Sequence, residues 1–263
     1  MHIRVDNLHK SYPDGAQILS GLNLEINSGE GVVLLGANGC GKSTLLRCML
    51  GLEPISSGDI LIDGISLSHA KTRPLRQLRS RIGTVFQQFN LVNNLSVFQN
   101  VLFGRLGNDG LLRSLNLTCS QTNRDLAMHC LERVGLADLA KRRTDQLSGG
   151  QQQRVAMARM LMQDVQLVFA DEPIASLDPR AGREVMDLLF EIVHERRLTV
   201  ICVLHQLELA QEYAQRIVGL KAGQVLLDGK PSDLSSEQLH SLYNQGAHSQ
   251  PTAQPTREAL HAV

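Results

Sequence analysis

Gly36-Ala37-Asn38-Gly39-Cys40-Gly41-Lys42-Ser43-Thr44 is the stretch on which the fold turns. Residues 36 to 43 fit the pattern GxxxxGK[ST], in which glycines let backbone N–H groups turn inward around a chain of phosphates. Before it stands Val32-Val33-Leu34-Leu35, a continuous apolar run of the kind that makes a strand buried on both faces. After it, residues 43 to 50 read as a helix stopping at Gly51, with its positive end aimed at the same phosphates. In that setting Lys42 reaches the β and γ phosphates of a nucleoside triphosphate, and the Ser43 hydroxyl ligates Mg²⁺. Strand, glycine loop and helix in this order predict a phosphate cradle rather than a plain connecting turn.

A second buried strand carries the chemistry that a cradle needs. Leu167-Val168-Phe169-Ala170 ends in Asp171-Glu172, and ligands of parallel sheets sit at the carboxyl ends of strands. Asp171 is therefore expected to hold Mg²⁺ through its water shell, and Glu172 to orient or deprotonate an attacking water. Alternating segments at 3–5 and 22–26 read as half-buried strands, with further strands at 60–62, 199–204 and around the turn Ala222-Gly223. Helical signals dominate from about 90 to 161, notably 125–134 and 151–162, and return at 180–196. The polar, glycine-bearing stretch 104–123 reads as a loop or short hairpin. Strand and helix alternating around a helical insert point to an α/β core.

Composition narrows the rest. The 263 residues hold 26 basic and 26 acidic side chains, so no net charge draws the chain to nucleic acid or anionic lipid. Tryptophan is absent and aromatic residues make up 3%, which argues against a stacking platform for single-stranded bases. A hydrophobic fraction of 43% suffices for a packed core, but no apolar run is long enough to span a bilayer, and no secretion signal opens the chain. Five cysteines without a CxxC pair read as reduced thiols, neither a disulfide framework nor a zinc site. The residues from about 246 to 263, rich in Gln, Thr, Ala, Ser and Pro, are expected to form a disordered tail.

A third motif names a family. Leu147-Ser148-Gly149-Gly150-Gln151 opens the helix at 151–162, setting a serine and free backbone amides at a helix N-terminus, again a geometry suited to phosphate. One chain rarely needs two phosphate cradles for one nucleotide; a dimer with shared sites does. From about residue 2 to 243 the chain resembles the ATP-binding subunits of ABC transporters, whose signature is LSGGQ.

The resemblance implies a P-loop NTPase core of the ABC ATPase type, with a helical subdomain insert and an N-terminal antiparallel β subdomain. One domain would cover 1–245, its catalytic core about 1–89 and 163–230 and its helical subdomain about 90–162. By the same resemblance, Tyr12 stacks on adenine, and Gln87 touches Mg²⁺ and senses a transmembrane partner, with the adjacent Gln88 as a rival. Asp178, in Ser176-Leu177-Asp178, communicates across the dimer; His205, at the end of the strand 199–204, contacts the γ-phosphate. Cys40 replaces a serine common at that point of the loop, a position that acts mainly through its backbone.

The implied partners are a second copy closing an ATP sandwich with Ser148, Gly149, Gly150 and Gln151, a multi-span membrane permease, and, through the permease, an external solute-binding protein. The implied location is the cytoplasmic face of a bacterial inner membrane, as a peripheral subunit. The wording at 86–92, 104–107, 147–155, 171–179, 204–206 and 213–218 resembles bacterial phosphonate-import ATPases. Importers of phosphite or another small solute remain alternatives. Outside transport, repair ATPases of this kind carry a long heptad-rich arm, whereas here about a hundred residues without heptads separate Ser43 from Leu147. Translation-type members usually carry two cassettes, and a non-hydrolysing regulatory subunit would not need Glu172 and His205.

Overall fold

The computed structural model describes residues 1–109 and 119–243; the expected tail at 246–263 lies outside them. Strands β1 (Ile3–Ser11) and β2 (Gln17–Ile26) pair antiparallel, with Ile3 opposite Ile26 and Val5 opposite Leu24, all four buried. After β3 (Gly31–Leu35) and helix α1 (Lys42–Met49), strands β4 (Ser57–Ile62) and β5 (Ile65–Ser66) complete a four-stranded sheet in the order β2-β1-β4-β5. This is the antiparallel β subdomain expected beside the core.

Helix α2 (Thr72–Arg79) leads into β6 (Ile82–Phe86). Helices α3 (Val97–Leu102), α4 (Leu106–Asp109), α5 (Gln121–Arg133) and α6 (Gly149–Gln163) then precede β7 (Leu167–Asp171). The chain continues through α7 (Pro179–Arg196), β8 (Thr199–Val203), α8 (Leu207–Tyr213), the hairpin β9 (Arg216–Lys221) and β10 (Gln224–Gly229), and α9 (Ser236–Ser241). The second sheet runs β10-β9-β3-β8-β7-β6, parallel except for the edge strand β10.

All five residues of β3 are buried because the strand is covered on both faces. Val33 and Leu35 join Val168, Ala170 and Cys202 in a core with α5, α6 and α7. Val32 and Leu34 join Phe169, Ile201 and Val203 in a second core with α1 and the antiparallel sheet. Each fully buried aliphatic side chain contributes about 1.5–3 kcal/mol, so the parallel sheet is held from two sides. Cys40, Cys48, Cys130 and Cys202 are buried free thiols and Cys119 is half-buried; none forms a disulfide.

Register does the positioning. Leu34 pairs with Val203, Val203 with Asp171, and Asp171 with Phe86, a single row across four parallel strands. Within two residues of that row come Gly36 of the phosphate loop, His205, Glu172 and Gln87, which therefore leave the sheet at nearly one level.

One expectation is corrected. The stretch 104–123 is helical at both described ends, with a 3-10 turn at Phe103–Arg105 followed by α4, and α5 beginning at Gln121. Residues 110–118 lie outside the described ones. Gly104 serves packing within that 3-10 turn: a Cβ there would sit 2.4 Å from the Arg159 carbonyl oxygen, so the missing side chain lets the segment press against α6.

Candidate functional site

The phosphate loop owes its shape to its three glycines in different ways. A Cβ on Gly36 would lie 2.3 Å from the Leu220 carbonyl oxygen and 2.7 Å from Cys40 Sγ, and one on Gly41 would lie 2.8 Å from Leu19 Cδ2. Those two positions exclude a side chain by contact. Gly39 meets nothing within 4 Å and faces open space, where its φ of +78° sets the requirement. Cys40 is 8% exposed and is held through its backbone, its N–H on the Ala37 carbonyl and its own carbonyl accepting from Gly223 N–H. Asn38 and Thr44 complete the stretch, with Thr44 entering α1 beside the Tyr12 hydroxyl.

Lys42 is the anomaly in this loop. It is 5% exposed, and its Nζ donates to the carbonyls of Gly36 at 2.8 Å and Ala37 at 3.1 Å, with Cys40 Sγ at 3.9 Å. Among the described residues no carboxylate comes within ion-pair distance of it. A buried ammonium resting on carbonyl dipoles alone is poorly compensated, and an anion laid along the first turn of α1 would correct that.

Across the cleft, Ser43 Oγ donates to Asp171 Oδ1 at 3.3 Å. Burial, and after it the Glu172 charge, pushes the Asp171 carboxyl above the usual range, against smaller pulls from Ser43, Arg47 and Lys42. The sign follows directly. The ionised form is disfavoured in the fold, so stability is highest below the unfolded pKa and is lost as pH rises through the raised folded value. Asp171→Asn, which keeps the acceptor for Ser43, is therefore expected to raise the thermal midpoint of the nucleotide-free protein at neutral pH while abolishing Mg²⁺-dependent turnover. A lowered midpoint with retained turnover would contradict both halves.

Glu172 adopts φ +49°, a left-handed conformation costing a non-glycine residue about 1 kcal/mol. Its N–H is fixed on the Val203 carbonyl at 3.2 Å, and its Oε1 lies 2.6 Å from His205 Nε2. The kink turns the carboxylate out of the strand toward the histidine. Gln87 N–H donates to the Asp171 carbonyl at 3.0 Å, which ties Gln87 rather than Gln88 to the end of β7; both side chains are exposed.

A hollow of about 740 Å³ is lined by Ala37, Asn38, Glu172, His205 and Tyr243. The larger hollow of about 1160 Å³, among Ser28, Gly31, Leu198 and Gln215, opens at the other end of the parallel strands, away from every one of these groups. Volume alone does not mark the site; the charges do. No sequence motif marks Tyr243. Leu239 and Leu242 bury α9 against the sheet, where Gly219 leaves room for Leu242, and this carries the Tyr243 hydroxyl to 3.4 Å from the His205 carbonyl.

The remaining residues lie elsewhere in the chain. Ser148 is the N-cap of α6: its Oγ accepts from Gln151 N–H at 3.3 Å while Gln151 Oε1 accepts from Ser148 N–H at 3.0 Å. No hydrogen bond described for residues 148–151 reaches the phosphate loop. Gly149 and Gly150 pack on the start of α7, where a Cβ would meet Leu177 at 2.9 Å and Ala181 at 3.4 Å. Asp178 caps α7 through Ala181 N–H at 3.0 Å. Ser148 is exposed, and Gly149, Gly150 and Gln151 behind it are half-buried.

Tyr12 ends beyond β1 with its hydroxyl on Glu53 Oε2 at 2.6 Å and the Lys10 ammonium 4.6 Å from its ring centre. The Glu53 hydrogen bond holds the phenol pKa above its ordinary value.

As for a cation, no cluster of three or more His, Cys, Asp or Glu fit to hold a metal occurs among the described residues. A hydroxyl and one carboxylate, Ser43 and Asp171, are too few for a protein cage. They fit a magnesium ion that keeps several waters and takes its other oxygens from a phosphate substrate.

Residues 19–175 match the ABC transporter family model. The chain is 44% identical over 241 residues to the phosphonates import ATP-binding protein PhnC 2 of Oceanobacillus iheyensis, covering 92% of this chain and 95% of the relative. Among solved structures it is similar to cbiO1 of Clostridium perfringens, part of the cbiONQ transporter complex, at 33% identity and TM-score 0.78, covering 90% of this chain and 92% of that one. It is also similar to the ATP-binding cassette MJ0796, solved as a dimer in a post-hydrolysis state with ADP and Pi, at 34% identity and TM-score 0.76, covering 87% and 98%.

Proposed function

The chain belongs to the ABC transporter ATP-binding family, and on that premise we propose that it is the ATP-hydrolysing subunit of an import complex that energises phosphonate uptake through a membrane permease. The observation that carries the hydrolytic part is the convergence of Lys42, Ser43, Asp171, Glu172 and His205 at one end of the parallel sheet. The cargo rests on the relatives, which are named phosphonate importers over nine-tenths of this chain.

Within that reading each residue has a task. Lys42 and the amides of residues 36 to 44 bind the phosphates of ATP, with the Lys42 charge compensated by them. Ser43, Asp171 and Gln87 would hold Mg²⁺, which supplies Lewis-acid polarisation of phosphate oxygens. Glu172 orients and deprotonates the water, and His205 holds both the Glu172 carboxylate and the reacting end of the nucleotide. Tyr12 lies against adenine. A second copy closes the site with Ser148, Gly149, Gly150, Gln151 and Asp178; the exposure of Ser148 supports this, as does the dimeric state of the similar cassette. Loss of the γ-phosphate removes the charge that holds the halves together.

The helical segment at about 90–162 and the loop after Gln87 then transmit the motion to the permease. No helix among the described residues is long and apolar enough to cross a membrane. In this reading the permease is a separate chain, as the import role of the relatives implies, and this subunit docks on its cytoplasmic face. The test is reconstitution with its permease and solute-binding protein. Turnover of ATP is expected to rise with a phosphonate-loaded receptor and not with receptor loaded with phosphite or inorganic phosphate. Equal stimulation by the other ligands would reassign the cargo.

A further inference from the structure

One turn inside the signature helix α6, Gln153 is fully buried, the position where an uncharged polar side chain needs the strongest reason to be. Its Nε2 donates to the Pro173 carbonyl at 2.5 Å and to the Phe86 carbonyl at 3.4 Å. Both partners are acceptors only, so the amide is oriented without ambiguity and Oε1 is left buried with no partner. Tolerating an orphan acceptor there makes sense if the two donors matter more.

The two carbonyls are significant for their neighbours. Phe86 is the residue before Gln87, and Pro173 is the residue after Glu172. The β6–β7 ladder ends with Phe86 opposite Asp171 and the Gln87 N–H on the Asp171 carbonyl, after which the two chains part. Gln153 bridges them where the ladder stops. Around it the same helix grips its surroundings in the same manner. Gln152 Nε2 donates to the carbonyls of Thr144 and Leu147, fixing the approach to Ser148, and Arg159 donates to the carbonyls of Asn90 and Phe89 in the loop after Gln87. Helix α6 is thus tied at once to its exposed signature turn, to the Gln87 segment and to the Glu172 turn.

We propose that Gln153 is a positioning residue that couples docking of the signature turn on a partner copy's nucleotide to the placement of Gln87 and Glu172 in its own site. This rests on the shared-site reading above. A displacement of the first turn of α6 is passed through a rigid amide to both flanks of the hydrolytic centre, so each site learns whether its chain is engaged in the other.

The test uses the full chain. Gln153→Leu, similar in volume and without donors, is expected to lower kcat about tenfold or more, with KM for ATP and single-chain nucleotide affinity within about twofold of the parent. Gln153→Glu can donate only when protonated, so its kcat relative to the parent is expected to fall as pH rises, while the ratio for Gln153→Leu stays flat; this pair also decides the matter should the leucine variant fold poorly. In the Glu172→Gln background, Gln153→Leu is expected to leave ATP-driven dimerisation intact. Unchanged kcat in a folded Gln153→Leu protein, or loss of nucleotide affinity in step with kcat, would overturn the coupling role alone. Absence of an ATP-driven dimer in Glu172→Gln itself would overturn the shared-site reading and this proposal with it.

Discussion

Replacing Glu172 by Gln is expected to lower steady-state phosphate release by roughly 10²- to 10⁴-fold while ATP stays bound, the range lost when a positioned general base is removed. The substitution is nearly isosteric. The amide oxygen can still accept from His205 Nε2, now 2.6 Å from Glu172 Oε1, and the left-handed backbone held by the Val203 carbonyl is not disturbed. What disappears is the basic carboxylate. Retention of labelled ATP on the filtered protein, set against phosphate release, separates binding from chemistry. Near-parent turnover would remove Glu172 from the role of base and leave positioning by Ser43, Lys42 and His205 as the source of the rate.

Lys42→Met should have the second large effect, and an asymmetric one. The unbranched side chain fills the space of the lysine stem but removes the buried charge and its bonds to the carbonyls of Gly36 and Ala37. Affinity for ATP is expected to fall by roughly 10²-fold or more, the scale for truncating one partner of a buried charge pair. The fold itself should hardly notice. Two hydrogen bonds to carbonyls are lost, but so is a buried ammonium with no carboxylate beside it among the described residues, and these terms oppose each other. Titration calorimetry and a thermal melt without nucleotide check the two halves. A collapse of the midpoint would mean that Lys42 is a structural residue whose carbonyl bonds hold the loop, with anion binding secondary.

The parts of the site that could be read from sequence are those written in contiguous residues at strand ends. Val32 to Leu35 and Leu167 to Ala170 are unbroken apolar runs, so the groups that follow them, Gly36 to Thr44 and Asp171-Glu172, could be set at the carboxyl edge of a sheet. Ser148 and Gln151 announced their helix through the reciprocal cap. Strand β6 was hidden because Gly83 and Thr84 interrupt it. Gly83 is there for packing, since a Cβ would lie 2.6 Å from Met160 Cγ. Helices α2 and α8 bury one and two residues, too few to make a period. Strand order and the row Leu34–Val203–Asp171–Phe86 are long-range facts that no local pattern encodes. Tyr243 reaches the site only because α9 docks by Leu239 and Leu242 on the sheet, and Gln153 does so from inside a helix whose polar residues otherwise look like surface.

Cys40 ends as a packed member of the loop. Its N–H donates to the Ala37 carbonyl and its carbonyl accepts from Gly223 N–H, and the buried Sγ lies against Gly36 and near the Lys42 ammonium.

In the proposed function one nucleotide is held by the phosphate loop of one chain and the signature turn of another. Light scattering of the Glu172→Gln protein with MgATP, with and without Ser148→Arg, tests it most directly. A dimer with ATP and a monomer with ADP are expected, and adding Ser148→Arg is expected to yield a monomer still carrying ATP. A dimer indifferent to Ser148→Arg, or an ATP-loaded monomer without it, would contradict the shared site.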